Sequence, residues 1–373
     1  MKGFVPTPPP VVDDMVEKLF CSHPPSAEDW VLDPGCGEGA FIDGIGRWCE
    51  LRGCPIPRIV GIESDPVHAA KARRRLAHLP SVSIVEEDFL TDRASRFDYA
   101  IGNPPYVPIT GLSLAEKTSY RARYRSAVGR FDLYLLFFEQ ALRLLKPGAR
   151  LVFITPEKFL YVESAEALRR QLVAVQIEEI NFVAETTFGE LVTYPVVTTI
   201  VNELPATATR VRLRDGEVRD IQLTGRSWLP VIAGSEAAAT RYTLSDACLR
   251  ISCGVATGAD GIYVVKTSEL PASLKESAYP TVAGREIDVG RGMSPGRSML
   301  VPYAPNGALL PENRLGGLGE YLGRAHTRQR LLERTCTATK PWYAFHETPP
   351  LPDILRPKIL CKDISSRPYF LVD

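Results

Sequence analysis

The sequence predicts a doubly wound α/β domain followed by a smaller, irregular α/β domain. Three observations carry this. Short apolar runs alternate with helical patterns up to about residue 203, and the first run ends in a glycine-rich turn. Beyond residue 204 the alternation gives way to short strands in Pro- and Gly-rich sequence. Strands that alternate with helices imply parallel pairing through right-handed crossovers.

The elements follow in order. Residues 30–33 form the first strand, Arg58–Glu63 the second, residues 82–85 the third, Phe97–Gly102 the fourth and residues 150–154 the fifth. Helical patterns occupy residues 67–79 and 133–145, the latter stopped by Lys146-Pro147-Gly148. Residues 204–209 read as a linker, and residues 210–223 as a hairpin about Asp215-Gly216. The remainder holds short strands and one helix near residues 318–334. The expected division is a catalytic domain at 1–204, a linker and hairpin at 205–240, and a second domain at 241–373.

Composition excludes some classes. Lysine plus arginine equals aspartate plus glutamate at 44 each, which argues against a general polyanion binder. No apolar run of about 18 residues is present, so no membrane span is expected. Residues 1–10 lack the apolar core of a signal peptide, and a cytoplasmic protein is expected. The eight cysteines are scattered with no C-x-x-C pair and few histidines, which predicts reduced thiols and no metal site. Charge is nevertheless segregated. Residues 117–125 (KTSYRARYR) are basic with interleaved tyrosines, and Arg324, His326, Arg328 and Arg330 form a second basic stretch. Each could be a solvated face or a nucleic-acid contact.

The turn after the first strand is Asp33-Pro34-Gly35-Cys36-Gly37-Glu38-Gly39-Ala40-Phe41. Alternate glycines let the backbone approach a ligand where a β-carbon would clash, and they open a helix whose first N–H groups are free. The spacing differs from G-x-G-x-x-G, and no P-loop lysine follows. Glu63 ends the second strand, where an acid can accept the ribose hydroxyls of an adenosine-bearing cofactor. Asp88 and Phe89 follow the third, offering a carboxylate for an adenine amino group and a ring for its face. Solvated turn acids are the bland alternative.

Asn103-Pro104-Pro105-Tyr106 follows the fourth strand. The prolines fix the backbone and hold one carbonyl rigid, and Asn103 adds a side-chain carbonyl beside it. An aromatic or amide NH2 is a poor nucleophile because its lone pair is delocalised. Two fixed acceptors on its hydrogens favour pyramidal geometry and expose that lone pair to a sulfonium methyl. Tyr106 offers a face for a planar base. Cytosine C5 chemistry would need a nucleophilic cysteine after a proline in this loop, and Tyr106 stands there instead.

These motifs resemble the γ class of N6-adenine DNA methyltransferases of restriction–modification systems, across nearly the whole chain. Thr7-Pro8 with Val11, Val12, Asp13, Met15 and Val16 resembles the family's amino-terminal cofactor motif, residues 33–41 its glycine motif, and Asn103 to Tyr106 its catalytic tetrapeptide. Residues 131–137 resemble the helix after it, and Thr187-Phe188-Gly189 with residues 196–200 the motif whose aromatic stacks on a flipped adenine. The resemblance implies a class I S-adenosylmethionine-dependent fold with a target-recognition domain. It implies cofactor residues Thr7, Asp33, Gly35, Gly37, Gly39, Phe41, Glu63, Asp88, Phe89 and Asn103. It implies catalytic residues Asn103, Pro104, Pro105, Tyr106 and Phe188, with Tyr194 as an alternative to Phe188. Residues 254–264, Trp342-Tyr343 and 356–360 resemble the opening of a recognition domain, which is expected to be incomplete.

Double-stranded DNA is the implied partner, with a specificity or restriction subunit as a further one. Lys117, Arg121, Arg123, Arg125 and Arg130 are expected in a mobile loop that closes on phosphates. The same tetrapeptide occurs in RNA base and protein glutamine methyltransferases, and a non-catalytic DNA-binding protein with a degenerate domain is the alternative of another class. The intact Asn103 and glycine loop argue against the last.

Overall fold

The computed structural model describes residues 5–91, 94–184, 187, 194–234, 244–288, 292–293, 296–361 and 370–373. The chain divides into two compact units, residues 1–239 and 240–373. The first opens with α1 (Pro9–Phe20), whose leading prolines suit a helix's first turn, where their missing N–H groups are not needed. Val12, Met15, Val16, Leu19 and Phe20 recur at helical spacing and are all buried. Each such side chain contributes about 1.5–3 kcal/mol on burial.

There follow β1 (Trp30–Pro34), α2 (Ala40–Arg52), β2 (Arg58–Glu63), α3 (Pro66–Arg75), β3 (Val82–Glu86), β4 (Phe97–Gly102), α4 (Leu114–Arg123), α5 (Leu133–Leu144) and β5 (Leu145–Pro156). The unit continues with α6 (Glu166–Leu172), β6 (Gln176–Phe182), β7 (Pro195–Val201), β8 (Thr209–Arg212) and β9 (Val218–Ile221). The strands form one nine-stranded sheet in the order β3-β2-β1-β4-β5-β7-β6-β8-β9. β1 to β5 are mutually parallel, and β7 runs antiparallel to both β5 and β6. This is the expected doubly wound α/β arrangement, extended by antiparallel strands at one edge.

Both faces of the sheet are covered. Along β5, Leu151 and Phe153 enter the core cluster that contains Leu135 and Phe138 of α5, whereas Val152 and Ile154 enter the one that contains α1 and α2. A strand buried on both sides must be apolar at every position, which is why the central strands read as continuous apolar runs. Strand order reverses between β1 and β4, so their carboxyl ends flank the crevice where open α/β sheets bind ligands.

Three sequence expectations change. The hairpin expected about Asp215-Gly216 is formed by β8 and β9, but the stretch around it is not separate from the first unit. β8 and β9 extend the main sheet, Trp228 is buried in its core, and the Trp228 N–H bonds the Leu160 carbonyl at 2.8 Å. The basic segment expected as a loop is helical over residues 117–123, with Arg125 and Arg130 beyond the helix. Ser113 and Glu116 form a reciprocal capping box at the start of α4. In the second unit, the helix expected near residues 318–334 is two helices, Gly317–Leu322 and Ala325–Leu332. Gly323 closes the first, and Arg324 is extended, so the helical ladder cannot pass through.

The second unit is built on a three-stranded antiparallel sheet, with Arg297–Leu300 between Val264–Lys266 and Ala278–Thr281. Tyr263, Phe345, Leu300, Leu318 and Leu331 share its core. Among the described residues, no helix is long and apolar enough to cross a membrane.

Arg169 ties the late part of the first unit together. It is 2% exposed, and its guanidinium donates to the carbonyls of Arg226 at 2.9 Å, Phe159 at 2.8 Å and Val162 at 2.8 Å. Arg169→Met leaves these acceptors unmet and should destabilise the unit by about 2–4 kcal/mol. Urea denaturation checks this; a loss below about 0.5 kcal/mol, the usual range for surface substitutions, would contradict the latch.

Candidate active site

The site is built where β1, β2 and β4 end. After β1 the chain turns through Gly35, Gly37 and Gly39, with φ of 79°, 54° and 83°, a region that residues with a β-carbon avoid. The N–H groups of Gly35 and Cys36 both donate to the Ile62 carbonyl, at 2.7 and 2.9 Å, which folds the loop back over the end of β2. Glu63 locks it there: one carboxylate oxygen accepts the Gly37 N–H at 2.9 Å and the other the Asp65 N–H at 2.7 Å. Each oxygen retains a second acceptor lobe.

Asp33 and Glu63 are both 0% exposed. Neither oxygen of Asp33 has a hydrogen-bond partner among the described residues. Burial, reinforced by the charge of Glu63, raises the Asp33 carboxyl well above the ordinary carboxylate range. A β-carbon on Gly102 would lie 3.2 Å from Asp33 Oδ1, so Asp33 sits directly against the end of β4.

A pocket of about 230 Å³ opens on the loop, lined by Val5, Pro6, Thr7, Gly35, Cys36, Glu38, Phe41, Arg47, Arg75 and Asn103 among others. Asn103 therefore shares one cavity with the glycine turn. Its Nδ2 donates to the Val5 carbonyl at 3.0 Å and to Thr7 Oγ1 at 3.1 Å. Its Oδ1 is buried with no partner among the described residues. Buried carbonyls are normally satisfied, so this one is an acceptor held in readiness. Pro105 packs on the glycine turn, where a β-carbon on Gly35 would be 3.6 Å from its ring. Tyr106 meets the buried Tyr134 edge to face, with ring centroids 6.2 Å apart. The Tyr106 hydroxyl lacks a partner among the described residues, and burial raises both phenols.

The residues expected from the sequence thus fall into groups. Thr7, Gly35, Phe41 and Asn103 line the pocket; Gly37, Gly39, Asp33 and Glu63 form the turn and the buried acids against it. Pro104, Pro105 and Tyr106 continue from Asn103. Phe89 departs from expectation. Asp88 accepts the Leu90 N–H at 2.9 Å and the Tyr120 hydroxyl at 3.2 Å, and Phe89 is 2% exposed against Phe137. A ring buried that deeply packs the core and does not present a free face. Phe188 lies outside the described residues; Tyr194, the alternative, is half exposed with the Arg214 guanidinium 5.5 Å over its ring.

The basic segment is likewise divided. Tyr120 and Tyr124 are buried in the main core, so the interleaved tyrosines are packing residues. Arg123 stacks on both and donates to the Leu90 carbonyl, which makes it part of the frame. Arg121, Arg125 and Arg130 are exposed, and Lys117 is half buried. Sequence reasoning missed Val5, Arg47, Arg75 and Tyr134. Tyr134 stands within the quoted 131–137 segment; the others carry no local signal.

The residues present fit S-adenosylmethionine. The turn offers bare backbone and Thr7 and Asn103 offer polar atoms on the pocket lining, with the unpartnered buried acid Asp33 in the strand that leads into the turn.

Residues 62–188 match the model of the Eco57I restriction-modification methylase family. The type II methyltransferase M.XhoI of Xanthomonas vasicola is 28% identical over 267 residues, covering 61% of this chain and 48% of the relative. The type II methyltransferase M.PaeR7I of Pseudomonas aeruginosa is 26% identical over 317 residues, covering 74% of this chain and 54% of the relative. The chain spans about half the length of these curated relatives. The type I restriction-modification methyltransferase subunit of Streptococcus thermophilus is similar with a TM-score of 0.48 at 16% identity, covering 62% of this chain and 53% of that one.

The Asp33 environment has a stability consequence. Its carboxyl is raised in the folded state, so it opposes folding above the unfolded aspartate range near about 4, and the cost grows as pH rises. The stability of ligand-free Asp33→Asn relative to wild type should therefore move in the variant's favour from pH about 4 to about 7. Thermal melts across that range check it; a pH-independent difference contradicts the assignment.

Proposed function

We propose that this chain, with its Eco57I-type methylase segment at residues 62–188, transfers a methyl group from S-adenosylmethionine to N6 of an adenine swung out of double-stranded DNA. One observation carries the proposal. Asn103 has both N–H donors taken and its carbonyl oxygen open, beside the glycine-turn pocket. That is the arrangement a nitrogen nucleophile needs.

The chemistry follows from the residues. Asn103 Oδ1 accepts one hydrogen of the substrate amino group, and the Pro104 carbonyl accepts the other. Together they withdraw the nitrogen lone pair from the ring and aim it at the pocket. S-adenosylmethionine supplies a sulfonium-bound methyl as the electrophile. The proton lost from nitrogen after transfer leaves through these acceptors to solvent. Tyr106 covers one face of the base, and Phe188 or Tyr194 the other. Arg121, Arg125 and Arg130, with Lys117, contact phosphates; Arg123 holds α4 against the core instead. The match to a restriction-modification methylase family makes a cognate nuclease or specificity subunit the expected partner.

Asn103→Ala should lower kcat about 10²–10³-fold, the scale of losing one preorganised contact to the reacting group. Cofactor affinity should fall by less than about tenfold, since no more than neutral hydrogen bonds are lost there. Single-turnover kinetics with calorimetry checks both; a variant with near-normal kcat rules out the amino-orienting role. Arg121→Ala with Arg125→Ala should weaken binding to all duplex sequences alike and reduce the slope of log K against log salt by about 1–2. An unchanged slope would assign both to a solvated face.

A further inference from the structure

Both donors of the Asn103 carboxamide end on the amino-terminal segment, at the Val5 carbonyl and Thr7 Oγ1, 98 and 96 residues away in sequence. A carboxamide has nearly the same shape when turned by half a revolution, so packing alone does not choose which atom faces outward. Here the choice is chemical. The Val5 carbonyl can only accept, and Thr7 Oγ1 accepts with its own proton free to point elsewhere. In the reversed orientation, Asn103 Oδ1 would meet the Val5 oxygen, and the NH2 group would face the substrate side, where an amino nucleophile offers hydrogens of its own. The Thr7 hydroxyl could turn to donate instead, but the bond to the Val5 carbonyl would be lost and a lone-pair repulsion gained.

We infer that residues 5–7 are a positioning strap, in which the Val5 carbonyl sets the direction of the Asn103 carboxamide and Thr7 holds it with its carbonyl presented to the substrate. This rests on the proposed amino-orienting role of Asn103. Pro6 and Pro8 flank Thr7 and restrict the strap's backbone, so little freedom is lost in holding Thr7 against Asn103. Val5, Pro6 and Thr7 also line the pocket beside the glycine turn. The same three residues thus border the pocket and hold Asn103.

The test compares Thr7→Val, which keeps the shape and removes the acceptor, with Thr7→Ser, which keeps the acceptor. The first readout needs no turnover: solvent exchange of the Asn103 carboxamide protons by NMR in the ligand-free full chain, assigned by the signal lost in Asn103→Asp. Exchange should be slow in wild type and Thr7→Ser, and about tenfold faster in Thr7→Val, the scale of one lost hydrogen bond. The second is a split in kinetics. Thr7→Val should lower kcat about tenfold while cofactor Kd changes by less than about threefold, with Thr7→Ser restoring kcat. Equal exchange in wild type and Thr7→Val overturns the strap. Parallel changes in kcat and Kd also overturn it and make Thr7 a pocket wall only. If wild type methylates no adenine, the proposed function fails, and the exchange measurement still decides the strap.

Discussion

Two carboxylates, Asp33 and Glu63, are buried side by side at the ends of β1 and β2, and only Glu63 has hydrogen-bond partners among the described residues. Much of the site depends on this asymmetry. Glu63 spends its charge on the Gly37 and Asp65 N–H groups, and so fixes a turn whose glycines could otherwise adopt many shapes. Asp33 is left unsatisfied in the same low-dielectric space, an expensive arrangement with no structural return. Burial, reinforced by the charge of Glu63, holds its carboxyl well above the ordinary carboxylate range.

The same crevice collects the chemistry. Because strand order reverses between β1 and β4, the glycine turn and the Asn103 tetrapeptide face each other across the switch point. Pro105 packs on Gly35, so turn and tetrapeptide form one rigid surface. The N-terminal strap closes the third side and takes both Asn103 donors. Every partner of the carboxamide other than the substrate is thus supplied by the protein, which is what preorganisation requires.

The parts written in local pattern were legible. β2 and β4 stand at their expected bounds because a strand buried on both faces is an uninterrupted apolar run between polar turns. The glycine turn and the tetrapeptide were legible because backbone geometry and amide chemistry constrain residue type directly. What failed was ambiguous in period. Tyr120 and Tyr124 lie one helical turn apart, a spacing that suits a nucleic-acid stripe and a buried helix face equally. The Ser113–Glu116 capping box was the local sign that should have decided for a helix. The hairpin at residues 210–223 was legible, but its place in the first unit was not, because the contacts that tie this stretch in, Trp228 on Leu160 and Arg226 on Arg169, are made at long range. Val5 on Asn103 was invisible for the same reason.

The central claim is that the open Asn103 carbonyl selects an adenine amino group as nucleophile. The most direct test is product identity: mass spectrometry of nucleosides from a random-sequence duplex incubated with the full chain and S-adenosylmethionine carrying an isotopically labelled methyl. The account predicts label in N6-methyl-2′-deoxyadenosine and in no other nucleoside. Label in a cytosine derivative, or label that enters RNA or protein but not duplex DNA, would contradict it.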